Sequence, residues 1–107
     1  MKRGDLVTIV TQGDYGKPRP ALVIQSDFFT ENLSLTVLPI TSHLVDAPLL
    51  RINLEASAQT NLNKPSQVMV DKITTVQREK AGLVFGSISH KTMVEIERCL
   101  SVFIGLG

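Results

Sequence analysis

Cysteine and the large aromatic residues are scarce in this chain. Cys99 is the only cysteine among 107 residues, and the sequence contains one tyrosine and no tryptophan. A single cysteine forms no intrachain disulfide and excludes a zinc site built from several thiolates. It is usual for a protein of a reducing compartment. The two histidines, His43 and His90, lack metal-ligand spacing and no glycine-rich phosphate loop occurs, so we expect neither a metal nor another cofactor.

Long hydrophobic runs and a dominant charge are also missing. The longest apolar stretches are far shorter than the roughly 20 residues that span a membrane. Gly4-Asp5 follows the basic start, where a signal peptide requires an apolar segment. The formal net charge is +1, which argues against strong charge-driven duplex binding but permits a local phosphate site. We therefore expect a cytoplasmic protein without membrane association.

Short β-branched segments separated by turn residues fill the first two-thirds of the chain. Strands are expected within residues 6–10, 21–25, 33–40, 67–71 and 73–76, and Gly82 and Gly86 suggest a bulge in a strand near residues 83–88. Asp27 is a plausible N-cap for one helical turn after it. The end of the chain changes to helical spacing, with apolar positions at Met93, Ile96, Leu100 and Phe103. Ser89 is placed to cap that helix and Gly105 to end it.

This order of elements predicts one domain over residues 1–107. Many strands followed by a terminal helix are typical of a mainly β fold, here a small barrel or curled sheet that the helix covers. A chain this small has room for one core and no deep cavity for a large cofactor.

The segment Lys17-Pro18-Arg19-Pro20 is the first candidate site. An arginine between two prolines has little backbone freedom, so its guanidinium is directed at low entropic cost. Arginine grips a phosphate through two parallel hydrogen bonds. The alternative is an ordinary surface or ion-paired arginine.

The segment Thr41-Ser42-His43 is the second candidate, since two hydroxyls and an imidazole follow a predicted strand. Hydroxyl and backbone donors at such a position can bind an anion. His43 could serve as a general acid or base. The alternatives are ordinary turn hydrogen bonds for the hydroxyls and a solvated histidine.

The third candidate is Asp71, which follows an apolar run and precedes Lys72. The carboxylate could accept a proton in a reaction, or pair with Lys72, Arg19 or a backbone amide. Tyr15, in the first loop, could stack on a base or anchor the loop.

Read together, these pieces resemble the MazF/PemK (Kid) family of toxin endoribonucleases. The resemblance rests on the start KRGD at residues 2–5, RPALVIQSD at residues 19–27, VLPITS at residues 37–42 and the strand ending DKITTV at residues 71–76. It extends over nearly the whole chain in the family's order. The Arg-Pro strand and the Pro-x-Thr-Ser turn are its most specific parts.

The resemblance implies an SH3-like barrel that forms a homodimer and cleaves single-stranded RNA at short sequences without a metal. It implies products with a 2′,3′-cyclic phosphate and a 5′-hydroxyl, and a cognate antitoxin that covers the active groove. Matched residue by residue, it assigns the catalytic roles to Arg19, Thr41, Ser42 and Asp71. We predict that Lys17, Tyr15, His43 and Lys72 contact the RNA.

Two residues and one loop depart from the family's pattern. Met69 stands where Kid-like members carry an arginine, so the acid–base pair of that branch is incomplete here. Lys72 replaces a commoner glutamine, and the first loop, residues 11–17, is shorter than in many members.

Two alternative functions remain for the same fold: a CcdB-like toxin that inhibits gyrase, and a catalytically inactive binding module. The ending Lys91–Gly107 lacks the Trp-Gly-Ile type of sequence expected of the gyrase inhibitor.

Overall fold

In the computed structural model, which describes residues 1–11 and 16–107, seven strands form one sheet and a single α-helix follows them. The strands are β1 (Asp5–Ile9), β2 (Arg19–Val23), β3 (Ser34–Thr41), β4 (Arg51–Leu54), β5 (Ser66–Met69), β6 (Thr74–Gln77) and β7 (Ala81–Ser87), and the helix is α1 (His90–Phe103). Short 3-10 turns span Asp27–Phe29, Val70–Lys72 and Arg78–Lys80. The predicted fold class, mainly β with a C-terminal helix, is confirmed. No helix within the described residues has the length and apolar character that crossing a membrane requires.

The long strand β3 organises the sheet, whose order is β4-β5-β3-β2-β1-β7 with β6 also on β3. One edge of β3 pairs with β2. Along the other edge, its first half pairs with β6 and its last residues, Ile40 and Thr41, pair with β5. All these pairs are antiparallel. Because two strands share one edge of β3, the sheet curls as a small barrel requires.

The central strands are buried on both faces, which explains their nearly continuous apolar sequences. Leu6, Leu22 and Leu38 face a core that α1 covers with Met93 and Ile96. The alternate residues face a second core, made of Val7, Ile9, Ala21, Val23, Leu35, Val37 and Val76. The ends of β1, β2 and β3 are thereby held by packing on two sides.

Most of the predicted local signals are confirmed. The Ser89 side chain accepts a hydrogen bond from the Thr92 N–H at 3.1 Å, and Gly105, with φ +83°, follows the end of α1. The register between β1 and β7 shifts near Leu6, opposite Gly86. The prediction that Asp27 caps a helical turn is wrong: Ser26 caps it by accepting from the Phe28 N–H at 3.2 Å. Asp27 instead accepts from the Arg3 N–H at 2.8 Å and fixes the N-terminus.

Candidate active site

A groove of about 700 Å³ opens where β1 and β3 end and β2 begins. Its volume falls within the roughly 300–1,000 Å³ that ligand pockets usually enclose. Three of the residues predicted as catalytic, Arg19, Thr41 and Ser42, line this groove. Packing on both faces of the sheet holds the ends of β1, β2 and β3 in place. The backbone that carries these side chains is therefore rigid.

Arg19 begins β2 and has a proline on each side. Both prolines have a fixed φ angle, which limits the backbone freedom of the segment. Arg19 is exposed and pairs with Ile9 of β1 at the edge of the groove. The backbone that carries Arg19 at the groove is therefore stiff.

The register between β2 and β3 explains why Arg19 and Thr41 share the groove. Ala21 lies opposite Pro39 and Val23 lies opposite Val37. The recorded pairing ends at Ala21 and Pro39, and Arg19 and Thr41 each lie two residues beyond it at the same end of the β2–β3 pair. Both residues therefore reach the same groove.

Thr41 fixes the turn that carries Ser42. The Thr41 Oγ1 atom accepts a hydrogen bond from the His43 N–H at 3.0 Å. A hydroxyl that accepts in this way keeps its own proton for donation to another oxygen. Thr41 is half-buried and Ser42 is exposed, and both line the groove. The turn therefore places two hydroxyl groups at the groove that Arg19 also lines.

Gln67 holds the segment that follows this turn, and sequence reasoning missed it. Its buried carboxamide accepts from the Val45 N–H at 3.1 Å and donates to the Val45 carbonyl at 3.0 Å. The same Nε2 atom donates to the Asn53 side chain at 2.9 Å. Since Gln67 also lies opposite Thr41 in the β3–β5 register, one side chain anchors residues 42–45 to the sheet.

Asp71 lies next to the groove rather than among the residues that line it. The predicted strand ends two residues early, at Met69, and Asp71 occupies the 3-10 turn Val70–Lys72. Its carboxylate pairs with Arg51 of β4, and the two side chains are 21% and 15% exposed. Met69, which takes the place of the expected arginine, does line the groove. The partner of Asp71 is thus an arginine that the sequence pattern did not single out.

Of the four predicted RNA contacts, the three that the structure describes are not among the residues that line the groove. Lys17, His43 and Lys72 are exposed on the surface. Tyr15 lies outside the described residues. Their contact with RNA stays a prediction.

A second wall of the groove was not predicted. It consists of Asn61, Leu62, Asn63, Lys64 and Phe85. The sequence analysis singled out none of these residues, although two amides followed by a lysine suit a polar ligand. In the described part of the chain, the charged residues that line the groove are Arg19 and Lys64, both cations. Across residues 1–11 and 16–107, no cluster of three or more His, Cys, Asp or Glu is placed to hold a metal ion.

Comparison with known proteins agrees with this architecture. The model of the PemK-like, MazF-like toxins of type II toxin–antitoxin systems matches residues 2–104. The chain belongs to this family. A MazF relative from Mycolicibacterium smegmatis, named a probable endoribonuclease, is 45% identical over 108 residues, which cover 100% of this chain and 99% of that protein.

Solved structures with the MazF fold superimpose over the whole chain. One is an endoribonuclease in complex with its cognate antitoxin from a mycobacterial species, with a TM-score of 0.82 at 19% identity, covering 100% of this chain and 97% of that chain. Another is a MazE–MazF complex from Deinococcus radiodurans, with a TM-score of 0.81 at 21% identity, covering 100% and 98%. At these identities the likeness concerns the fold.

Proposed function

We propose that this chain is an endoribonuclease that cuts single-stranded RNA at short specific sequences without a metal ion. The observation that carries the proposal is the placement of Arg19, Thr41 and Ser42 in one groove. A guanidinium and two hydroxyls are donors that suit the oxygens of a phosphodiester. The name of the M. smegmatis relative supports the same activity.

In the proposed reaction, the ribose 2′-oxygen loses its proton and bonds to the adjacent phosphorus. The bond from phosphorus to the 5′-oxygen of the next nucleotide breaks, and that oxygen takes up a proton from water, while the proton of the 2′-hydroxyl passes to water. The products are a 2′,3′-cyclic phosphate and a 5′-hydroxyl. Negative charge builds on the other phosphoryl oxygens. The guanidinium of Arg19, which can donate two parallel hydrogen bonds to a phosphate, stabilises that charge.

Thr41 and Ser42 position the reacting group in this scheme. The Thr41 hydroxyl, held by the His43 N–H, donates to one phosphoryl oxygen, and Ser42 supplies a second donor. Fixing the phosphate in this way aligns the attacking and leaving oxygens, which lowers the barrier by several kcal/mol.

Asp71 is proposed to act through position rather than as the proton acceptor. Its half-buried pair with Arg51 connects β4 to the turn after β5 and so holds Met69 at the groove. Lys17, Tyr15, His43 and Lys72 are proposed to contact the RNA.

We also propose a homodimer and a cognate antitoxin. Apolar side chains at the end of α1 and beyond it are exposed, namely Val102, Phe103, Ile104 and Leu106, and a second protomer would cover such a surface. Within the described residues, the charged side chains that line the groove are both cations, which suits an acidic antitoxin segment. Sedimentation at micromolar concentration tests the dimer, and a monomer would contradict it. Co-expression with a short acidic protein from a neighbouring reading frame tests the antitoxin, which should relieve growth arrest.

The site is tested with Arg19→Ala and Thr41→Ala. Both variants should keep the fold, lose cleavage of a long RNA and lose growth arrest. Arg98→Ala, which changes an exposed arginine of α1, is the matched control and should cleave normally. Retained cleavage by both groove variants, free of other nucleases, would contradict the assigned site. Gyrase inhibition without RNA cleavage would favour the alternative toxin activity.

A further inference from the structure

The groove extends beyond the proposed reaction site to the wall of Asn61, Leu62, Asn63, Lys64 and Phe85, here named the distal wall. The volume of about 700 Å³ is more than one phosphate group fills. A strand whose phosphate lies at Arg19 and Thr41 must place a neighbouring nucleotide in the remaining space. The chemistry of the distal wall therefore bears on which nucleotide fits.

The distal wall is held rigidly by a buried threonine. Thr60 is 7% exposed, and its hydroxyl donates to the Glu55 carbonyl at 2.7 Å while its N–H donates to Ser57 Oγ at 3.1 Å. Asn61 follows with φ 57°, a left-handed conformation that asparagine tolerates better than most residues. The loop therefore enters the wall in a defined conformation.

Two further bonds tie this loop to β7. The Asn61 Nδ2 atom donates to the Phe85 carbonyl at 3.0 Å, and the Ser87 N–H donates to the Gln59 carbonyl at 3.0 Å. Gly86 passes so close to the Thr60 carbonyl that there is no room for a β-carbon. Such close packing fixes Phe85 relative to residues 61–64, and a rigid wall discriminates between ligands better than a loose one.

The side chains of the distal wall match a nucleotide. Phe85 and Leu62 are half-buried apolar groups that pack against the main core and border the groove. Asn63 and Lys64 are exposed beside them. An aromatic ring stacks on any base, an amide bonds to the edge of an unpaired base, and a lysine attracts the next phosphate.

We propose that the distal wall is a nucleobase subsite that sets the sequence at which the RNA is cut. Phe85 stacks on the base next to the scissile phosphate, Asn63 hydrogen-bonds to its edge, and Lys64 contacts the adjoining phosphate. This inference rests on the proposed nuclease function. RNA is favoured over a protein segment as the occupant because the wall continues the surface that binds the reacting phosphate.

The test maps every cut in a long RNA by sequencing its 5′ ends, for the wild type, Phe85→Leu and Asn63→Ala. Asn63→Ala should relax the preference at one nucleotide position by roughly 5- to 100-fold, the discrimination that good hydrogen bonds to a base edge provide. Phe85→Leu should raise the KM for a short RNA containing the preferred site by about fivefold or more, because the ring no longer stacks.

Matched controls change the same residue types outside the groove. Asn32→Ala and Phe28→Leu alter exposed side chains and should leave the cleavage pattern and KM unchanged. Thermal melting shows whether each variant folds. If Phe85→Leu fails to fold, Asn63→Ala still tests the proposal, because Asn63 is exposed and its replacement should not affect folding.

The outcomes separate this inference from the proposed function. If the wild type cuts RNA, Arg19→Ala does not, and both distal-wall variants keep the wild-type pattern and KM, the nucleobase subsite is refuted and the nuclease function stands. If the distal-wall variants change only the relief of growth arrest by a co-expressed antitoxin, the wall binds protein and the inference is again refuted. If the wild type cuts no RNA, the proposed function itself fails.

Discussion

Arg51 of β4 and Asp71 of the turn after β5 form a half-buried ion pair beside the groove. The same Arg51 Nη1 atom donates to the Leu50 carbonyl at 3.2 Å. Arg51 also lies opposite Met69 in the β4–β5 register. The ion pair thus stabilises the part of the groove that Met69 lines. It also engages the Asp71 carboxylate, to which the family resemblance assigns a catalytic role.

A double-mutant cycle of Arg51→Met and Asp71→Asn should therefore show strong coupling. Each single change leaves the other, partly buried side chain without its oppositely charged partner. We therefore expect a coupling free energy of about 2 kcal/mol in the free energy of unfolding, measured by denaturant titration. If the pair only positions Met69, the two variants lower kcat to a similar extent. A kcat loss confined to Asp71→Asn would instead make Asp71 the proton acceptor.

Replacing Thr41 by valine should separate its hydroxyl chemistry from its shape. Valine removes both the acceptor of the His43 N–H bond and the proposed donor to the phosphate. We expect kcat for a short RNA to fall roughly 100- to 1,000-fold, as when one charge-stabilising donor is lost. Thr41→Ser keeps the hydroxyl and should retain most of the activity. Equal activity of the valine and serine variants would remove Thr41 from the mechanism.

Gln67→Met should loosen the segment that carries Ser42. Methionine has a similar length but leaves the Val45 N–H, the Val45 carbonyl and the Asn53 side chain without their partner. We expect a loss of about 2–3 kcal/mol in the free energy of unfolding, together with a lower kcat. Gln77→Met, at an exposed position of β6, is the control and should change neither. Normal stability and activity of Gln67→Met would show that residues 42–45 keep their conformation without the hydrogen bonds from Gln67.

The sequence predicted the fold well because its signals are local. The periods of two and about four residues located α1 and every described strand except β4 (Arg51–Leu54), which was not among the expected strands. Ser89 and Gly105 marked the ends of the helix. The Arg-Pro strand and the Thr-Ser turn were found because each is a short contiguous motif, and the β2–β3 register then brought them together.

The missed residues share one property, since each depends on a contact distant in sequence. Gln67 anchors Val45 from 22 residues away, Arg51 meets Asp71 across 20 residues, and Asn61 meets Phe85 across 24. No periodicity or motif encodes such pairs. The Val70–Lys72 turn, which places Asp71 beyond the end of β5, likewise involves a distant contact, because the N–H of buried Val70 donates to the Leu50 carbonyl at 2.9 Å.

Gly86→Ala should disrupt the distal wall. A β-carbon at this position overlaps the Thr60 carbonyl, so either the loop or β7 must move. Overpacking of this kind costs about 1–3 kcal/mol, and a thermal melt should show it as a lower Tm. Gly107→Ala, where a β-carbon has nothing within 4 Å, is the control. An unchanged Tm for Gly86→Ala would mean that the wall is not rigid.

The chemistry of the cut ends tests the nuclease account most directly. Wild-type protein and Arg19→Ala are each incubated with a long RNA in the presence of EDTA, and the new termini are identified. The wild type should yield 2′,3′-cyclic phosphates and 5′-hydroxyls at a short recurring sequence, and Arg19→Ala should yield no cuts. Intact RNA with the wild type, cutting that requires a divalent cation, or the same cuts with Arg19→Ala would contradict the account.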